Sequence, residues 1–299
     1  MTIQWFPGHM AKARREVSEK LKLIDLVLEL VDARLPLSSR NPMMGEITQQ
    51  KPRLVLLNKA DLADPLITRQ WEEWFQAEGT PAIPVVATQG DGLRRIESEA
   101  KKLVKPKMEA MMKKGIRPRA VRAMILGIPN VGKSSLINRM AKKNIAKTGD
   151  KPGVTRTQQW IKVGKEFELL DTPGILWPKF DDPQVGLRLA ATGAIKDEIL
   201  DSDREEITYF LVRYLQSHYP GALEERYKLE ELPEDPWDAV LLIGKKRGMI
   251  RAGGHIDTMA ACELILREFR SGMLGRITLE QPGKEQTDQD PNREVPPLD

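Results

Sequence analysis

A nine-residue stretch of this 299-residue chain has the residue types of a phosphate-binding loop. Residues 127–135 read G-I-P-N-V-G-K-S-S and fit the pattern G-x-x-x-x-G-K-[ST], whose glycines let backbone N–H groups turn toward phosphate oxygens. The Lys133 ammonium is predicted to bind the β- and γ-phosphates of a nucleotide, and the Ser134 hydroxyl is predicted to bind Mg²⁺. The predicted phosphate contacts of this loop come from Asn130, Val131, Gly132, Lys133, Ser134 and Ser135.

The residues on either side predict the strand and the helix that such a loop needs. Residues 122–127 form a short apolar run typical of a buried strand, and residues 133–143 have the spacing of an amphipathic helix. A helix that begins in the loop would attract an anion to its N-terminal end. The alternative is a glycine turn that binds nothing, and these flanks argue against it.

A second polar cluster, Asp171-Thr-Pro-Gly174, follows a predicted strand. An aspartate at the end of a strand can hold a magnesium-bound water, so Asp171 is a predicted metal residue. The Gly174 N–H can meet the γ-phosphate and move when that phosphate leaves. The tetrapeptide alone is moderately specific, but with the phosphate-binding loop upstream it indicates a nucleotide switch.

A third cluster, Asn58-Lys59-Ala60-Asp61, also follows a predicted strand and fits N-K-x-D. The Asp61 carboxylate can accept hydrogen bonds from both N1–H and the 2-amino group of guanine, a pair of donors that adenine lacks. Asn58 is predicted to tie this loop to the phosphate-binding loop, and Lys59 to lie over the base. A helix N-cap turn is the alternative for this tetrapeptide, and the two other motifs argue against it.

The elements that must position these clusters alternate between strand and helix. Regular β/α alternation over residues 22–195 predicts a doubly wound, mostly parallel α/β sheet that binds nucleotide at the carboxyl ends of its strands. Strand patterns cover residues 24–31, 53–57, 82–87 and 122–127, and residues 159–163 and 166–171 are predicted to pair with each other.

The predicted helices fall into two groups. Residues 43–50, 65–78, 93–114 and 187–195 belong to the sheet domain; the first of these is short and the third is basic and interrupted at Pro106. The spacing of Trp71, Trp74 and Phe75 predicts core packing. After residue 196 the strand pattern stops, which predicts a small all-helical domain over residues 196–280 and a disordered tail over residues 281–299. Its helices are predicted at residues 205–218, 229–232, 236–243 and 259–270.

Composition excludes several classes of protein. The chain is 40% hydrophobic and 30% charged, which is typical of a soluble globular protein, and it has no apolar run long enough to span a membrane. The first residues lack the apolar segment of a signal peptide. A single cysteine, Cys262, fits a reducing compartment and a place in the core. Three widely spaced histidines give no metal-binding pattern.

The positive charge is unevenly placed in a chain whose net charge is only +4. Residues 101–122 hold nine lysines and arginines and one acid, Glu109. A second basic stretch, Gly244-Lys-Lys-Arg-Gly248 with Arg251, has the form of a loop flanked by glycines. Both favour contact with RNA phosphates, although the alternative for the first stretch is a solvated helix face.

The motifs resemble the guanine-nucleotide motifs of GTPases in an unusual order. Residues 127–134, 171–174 and 58–61 match the motifs called G1, G3 and G4. Pro152-Gly-Val-Thr155 supplies G2, and Val86-Ala87-Thr88 supplies G5, with Val86 where serine is usual. Their order along the chain is therefore G4, G5, G1, G2, G3. This order resembles the circularly permuted GTPases, and within them the ribosome biogenesis GTPase A (YlqF) family. The family resemblance rests on residues 5–10 (W-F-P-G-H-M), 32–34 (D-A-R), 39–42 (S-R-N-P) and the helical C-terminal part. It implies a cytoplasmic enzyme, monomeric away from the ribosome and without membrane contact. Such an enzyme binds GTP and GDP and the rRNA and proteins of the immature large ribosomal subunit, and hydrolyses GTP late in assembly.

The resemblance also implies roles for single residues. Thr155 would bind Mg²⁺ and sense the γ-phosphate, and the Ala87 N–H would contact guanine O6. Ile175 occupies the position at which Ras-like enzymes orient water with glutamine, so another group must take that role. His9 is the candidate, with a structural or ribosome-contacting role as its alternative. Asn130 is a candidate K⁺ ligand, because GTPases with asparagine here often use that ion.

Three other functions compete with a ribosome-assembly GTPase. A membrane-linked or signalling GTPase with a protein effector is disfavoured by the basic stretches and by the lack of a lipidation motif. A P-loop ATPase or nucleotide kinase is disfavoured by Asn58 and Asp61. An RNA-binding protein with an inactive nucleotide site is disfavoured because the predicted phosphate and Mg²⁺ positions are all filled.

Overall fold

A six-stranded sheet forms the centre of the molecule. The computed structural model describes residues 17, 19–42, 48, 51–117, 119–142, 159–171, 182–195 and 203–283. The strands lie in the order β3-β2-β1-β4-β6-β5, and neighbours are parallel except β5 and β6, which pair as predicted and are antiparallel. Their bounds are β1 Leu26–Asp32, β2 Arg53–Asn58, β3 Ala82–Val85, β4 Val121–Gly127, β5 Gln159–Val163 and β6 Phe167–Asp171.

The central strands are apolar because both faces of the sheet are covered. All seven residues of β1 are buried, as expected for a strand in the middle of a parallel sheet. In the register of these strands Asp32 lies beside Asn58, and Leu30 lies beside Gly127. The carboxyl ends of β1, β2 and β4 therefore meet at one edge, where the sequence predicted nucleotide binding.

Eight α-helices with defined bounds are present in the described part of the chain, together with a short 3-10 helix at Leu21–Leu23. The first, α1, starts where the Asp64 side chain accepts hydrogen bonds from the N–H groups of Leu66 and Ile67, and it buries Trp71 and Phe75 as predicted. The bounds are α1 Pro65–Ala77, α2 Leu93–Lys113, α3 Lys133–Ala141, α4 Pro183–Ala191, α5 Arg204–His218, α6 Ala222–Tyr227, α7 Pro236–Lys246 and α8 Thr258–Arg270. Of the predicted helix at residues 43–50 the structure describes only Thr48.

Three sequence expectations about helices were wrong. Helix α2 runs through Pro106, since the proline lies on the exposed face, where water can replace the missing backbone hydrogen bond. Residues 229–232 are not helical: α6 precedes them and ends at Lys228, whose φ is +56°, and Pro233 disfavours helix in the residue before it. The basic stretch that begins at Gly244 is only partly a loop, because its first residues, up to Lys246, form the last turn of α7.

Gly244 lies in α7 because another helix approaches it closely. A Cβ at this position would lie 2.8 Å from a methyl carbon of Ile256 and 3.1 Å from Ala261. The glycine therefore serves helix packing, and it does not mark a flexible loop. Only the second half of the predicted loop, after Arg247, has irregular backbone.

One continuous apolar core joins the sheet to the C-terminal helices. Buried side chains from β1, α4, α5 and α8 belong to the same cluster, and Cys262 lies within it as predicted. Two smaller clusters cover other parts of the sheet. In the described ranges, no helix is both long and apolar enough to cross a membrane. The boundary at residue 196 and the disordered tail stay predictions.

Candidate nucleotide-binding site

The phosphate-binding loop lies between β4 and α3, as the sequence predicted. Asn130 has φ +57° and Gly132 has φ +102°, and such left-handed turns aim successive N–H groups to one side. Lys133 is buried and its Nζ folds back over the loop, 3.1 Å from Gly127 O and 2.8 Å from Ile128 O. The loop thus has the form that cradles phosphate, with its ammonium already at the loop.

Both glycines of the pattern are required by their neighbours. A Cβ on Gly132 would lie 2.3 Å from Asn58 Nδ2, and one on Gly127 would lie 2.5 Å from Leu30 O. These distances are shorter than any real Cβ contact. The loop therefore packs against β1 on one side and against the N-K-x-D loop on the other.

Asn58 connects three loops of the site. Its Nδ2 donates to Val131 O at 2.7 Å, which is the predicted tie to the phosphate-binding loop. Its Oδ1 accepts from the Ala87 N–H at 3.0 Å, which holds the loop after β3. A guanine O6 would have to share this N–H with Asn58, so the Ala87 contact stays a prediction.

The two charged residues of the N-K-x-D loop face different surroundings. Asp61 is exposed, so its carboxylate is accessible to a ligand. Lys59 has φ +59°, and its Nζ lies 3.0 Å from Asp32 Oδ2. Burial lowers the pKa of Lys59, and the Asp32 charge works against that shift. Lys59 is therefore held at the loop by an ion pair.

Asp32 is a site residue whose role the sequence did not reveal. Arg34 grips its carboxylate with both Nε, at 2.9 Å, and Nη2, at 2.7 Å. Burial alone would raise the pKa of Asp32, but the charges of Arg34 and Lys59 outweigh it and hold that pKa well below its usual value. In the sequence, Asp32-Ala-Arg34 indicates only a family resemblance, and its place at the carboxyl end of a predicted strand is the local signal for a site residue.

Three side chains converge on the turn that follows α4. Asn130 Nδ2 donates to Gly193 O at 3.2 Å, and Arg34 Nη2 donates to Thr192 O at 3.3 Å. From α8, Arg270 donates to the carbonyls of Ala191 and Ala190 at 3.0 and 2.9 Å. The phosphate-binding loop and the last helix therefore bind the same short turn.

Several predicted site residues cannot be placed. His9, Thr155, Gly174 and Ile175 lie outside the described residues, as does the side chain of Asp171. Ser134 and Ser135 occupy the first turn of α3, half-buried beside Lys133. The described residues bring the phosphate-binding loop next to the N-K-x-D loop that carries Asp61, an arrangement that suits a nucleoside phosphate.

Comparisons with known proteins found relatives along most of this chain. A family model described as "50S ribosome-binding GTPase" matches residues 122–242. "Ribosome biogenesis GTPase A" of Bacillus cereus is 62% identical over 94% of this chain and 95% of its own length. "Mitochondrial ribosome-associated GTPase 1" of Bos taurus is 32% identical over 93% of this chain and 88% of its own.

Solved structures match over a similar span. A GNP-bound YlqF from T. maritima covers 91% of this chain and 99% of its own, with a TM-score of 0.60 and 25% sequence identity. A GDP-bound YlqF matches with a TM-score of 0.59 and also 25% identity. With relatives of this identity along most of its length, the chain belongs to the ribosome biogenesis GTPase A (YlqF) family.

Proposed function

We propose that this protein is a GTP hydrolase that acts as a switch in the late assembly of the large ribosomal subunit. The observation that carries the nucleotide part is the Asn58 side chain, which ties the N-K-x-D loop after β2 (called the base-recognition loop below) to the phosphate-binding loop and to the loop after β3. The names of the relatives support the ribosomal part. The protein is expected to act in the cytoplasm, as a monomer away from the ribosome.

The residues present fit GTP and its magnesium ion. Lys133 and the loop N–H groups neutralise the phosphates, and Asp61 selects guanine over adenine. Mg²⁺ would be held by the hydroxyls of Ser134 and Thr155, with Asp171 acting through a water. These are hard oxygen donors of the kind that Mg²⁺ prefers. When bound, the ion neutralises charge that develops on the phosphates.

Hydrolysis requires a water in line with the γ-phosphate. Ile175, at the position of the usual glutamine, has no polar group to orient it, so we assign that role to His9 once a partner orders it. Asn130 donates its Nδ2 to Gly193, so the side-chain oxygen is the atom that can bind K⁺. A monovalent cation there would stabilise transition-state charge. Equal turnover in potassium and sodium buffers would remove this role.

The motif order supports a circular permutation. The base-recognition loop follows β2 and the loop that carries Ala87 follows β3, so both precede the phosphate-binding loop in the chain. In the sheet, however, β2 lies beside β1, and β1 lies beside β4, which leads into the phosphate-binding loop. As a consequence the switch glycine, Gly174, is followed by α4 and then by the C-terminal helices. Asn130 and Arg270 meet at the turn after α4, so a change at the γ-phosphate has a physical route to α8.

Basic surfaces are the proposed RNA contacts, and ion pairs within the fold reduce the number of candidate residues. Within residues 101–122, Lys107 and Arg119 bind Asp25, and Arg122 binds Glu168, so these cations serve the fold. Phosphate contacts are proposed for the exposed remainder at the end of α2 and of α7. These residues are Lys113, Lys114, Arg117, Lys245 and Lys246.

GTP turnover by the purified protein, with and without large ribosomal subunits, tests the proposal. We expect the subunit to increase turnover strongly, because it would order the group that replaces glutamine. His9→Ala should then remove most of the increase while leaving GTP binding unchanged. Unchanged turnover with intact GTP binding would contradict the ribosome as activating partner and favour a protein effector.

A further inference from the structure

The C-terminal strap, defined here as residues 276–280, lies against the base-recognition loop. The exposed Arg276 donates from Nε to Ala63 O at 2.9 Å and from Nη2 to Ala60 O at 2.8 Å. The next residue, Ile277, donates its N–H to Leu62 O at 3.0 Å. The strap therefore holds three carbonyls of the loop, on both sides of Asp61.

The contact continues along the strap toward Asp32. Thr278 Oγ1 accepts from the Asp64 N–H at 2.9 Å, and the Leu279 N–H donates to Arg34 O at 2.7 Å. The Glu280 carboxylate accepts from the N–H groups of Leu37 and Ser38. Residues 277–280 are all buried. The strap is thus built into the molecule along the loops that follow β1 and β2.

The same strap is fixed to the C-terminal helices. The Thr278 N–H donates to Tyr219 Oη at 2.9 Å, and the Tyr214 hydroxyl at the end of α5 donates to Thr278 O at 3.0 Å. A Cβ on Gly272, just beyond α8, would lie 2.8 Å from Leu62 Cδ2. Base-recognition loop, strap and helices consequently form one packed unit.

We propose that Arg276 is a positioning residue for guanine recognition. Asp61 is exposed, so the backbone of its own loop sets the direction of its carboxylate. The planar guanidinium bridges the carbonyls before and after Asp61 and thereby fixes the curvature of that loop. Through the strap, the C-terminal helices hold the guanine-selective group in place. This inference rests on the proposed role of Asp61 in binding guanine.

Hypoxanthine nucleotide provides the readout, because inosine diphosphate lacks the 2-amino group. Asp61 can accept two hydrogen bonds from GDP but one from inosine diphosphate. A displaced Asp61 carboxylate can no longer accept both hydrogen bonds of guanine at once. The preference for GDP over inosine diphosphate should therefore shrink. For Arg276→Ala we expect about a fivefold weaker affinity for GDP, with much less change for inosine diphosphate. Dissociation constants are measured by calorimetry on the full chain.

Two further variants separate positioning from folding. Arg276→Lys keeps a cation but not the fork, and should show a smaller loss of GDP preference than Arg276→Ala. Arg226→Ala is the matched control: Arg226 and Arg276 line one surface cavity of about 690 Å³, but Arg226 donates to Glu268 and not to the base-recognition loop. Its preference for GDP should stay that of the wild type, whatever happens to its melting temperature.

The experiments separate the positioning role of Arg276 from the proposed binding of guanine by Asp61. An unchanged ratio of the two affinities in Arg276→Ala, or an equal loss for both nucleotides, would overturn the positioning role. If that variant does not fold, Arg276→Lys decides by the same ratio. Asp61→Asn tests whether Asp61 binds guanine. If that variant still prefers GDP over inosine diphosphate, Asp61 does not recognise guanine, whatever the role of Arg276.

Discussion

A buried aspartate stands at each end of β1, and the two are bound in nearly the same way. Asp25 is gripped by both Nη1 and Nη2 of Arg119, at 2.7 and 3.0 Å, and by Lys107. Asp32 is gripped by two nitrogens of Arg34 and by Lys59. Each carboxylate also accepts one backbone N–H at 3.0 Å.

The Asp25 and Asp32 clusters differ in the parts of the molecule that their cations connect. Lys107 belongs to α2 and Arg119 to the segment before β4, so the Asp25 cluster joins elements at the amino-terminal edge of the sheet. Lys59 belongs to the base-recognition loop, and Arg34 reaches the turn after α4 and the Phe269 ring, 5.4 Å away. Because a parallel sheet binds ligand at its carboxyl ends, the same chemistry stabilises the fold at one end and positions the site at the other.

The largest expected effect comes from Asp32→Asn. Arg34 would remain buried without a countercharge, so the free energy of unfolding should fall by about 3 kcal/mol. Lys59 would lose its anchor, and the affinity for GDP should fall about tenfold. Urea unfolding and GDP titration measure the two effects. Full GDP affinity in the folded variant would show that the Asp32 cluster is structural only.

Asp25→Asn should separate the two roles. Its cations are partly exposed, Lys107 at 43% and Arg119 at 31%, so water can replace part of the lost interaction. The free energy of unfolding should fall by about 2 kcal/mol, and the GDP affinity of the folded variant should be that of the wild type. A loss of GDP affinity here would remove the distinction between the two ends of β1.

Much of the sheet could be predicted from local sequence patterns. Strands that are buried on both faces are apolar runs, and the loops at their carboxyl ends carry the nucleotide motifs. The wrong predictions about helices have causes in the tertiary structure. The stretch that begins at Gly244 has the composition of a loop, but Gly244 fits a close contact between helices. Pro106 lies on an exposed face, where water can replace the missing backbone hydrogen bond. Neither cause is visible within a short window of sequence.

The site was predictable where a motif is contiguous, and not where it is assembled at a distance. Asn58 and Lys133 stand in recognisable patterns, and the tie from Asn58 to the phosphate-binding loop was predicted from them. Asp32 pairs with Lys59 across two strands, and Arg276 binds Ala60 from the other end of the chain. A single sequence carries no signal for such pairings, because each partner is an ordinary surface-type residue.

A smaller effect is expected from acid, with the same sign at both ends of β1. Burial would raise each aspartate pKa, but hydrogen bonds from Arg119 and Lys107 at Asp25, and the charges of Arg34 and Lys59 at Asp32, hold both below the usual 3.8. A lowered carboxyl pKa contributes stability that is complete above the unfolded value and is lost as pH falls toward the folded value. Unfolding free energy should therefore drop below about pH 4, less steeply in each asparagine variant. An unchanged slope would contradict the shifts.

The smallest expected effect comes from Lys107→Ala. The Lys107 side chain is nearly half exposed, and Arg119 alone still donates hydrogen bonds to both oxygens of Asp25. The free energy of unfolding should fall by only about 0.5 kcal/mol, with no change in GDP affinity. Lys59→Ala is the counterpart at the other end of β1, and there GDP affinity should fall. If Lys59→Ala binds GDP as tightly as Lys107→Ala does, Lys59 does not lie over the base. The difference in function between the two ends of β1 must then come from Arg34 alone.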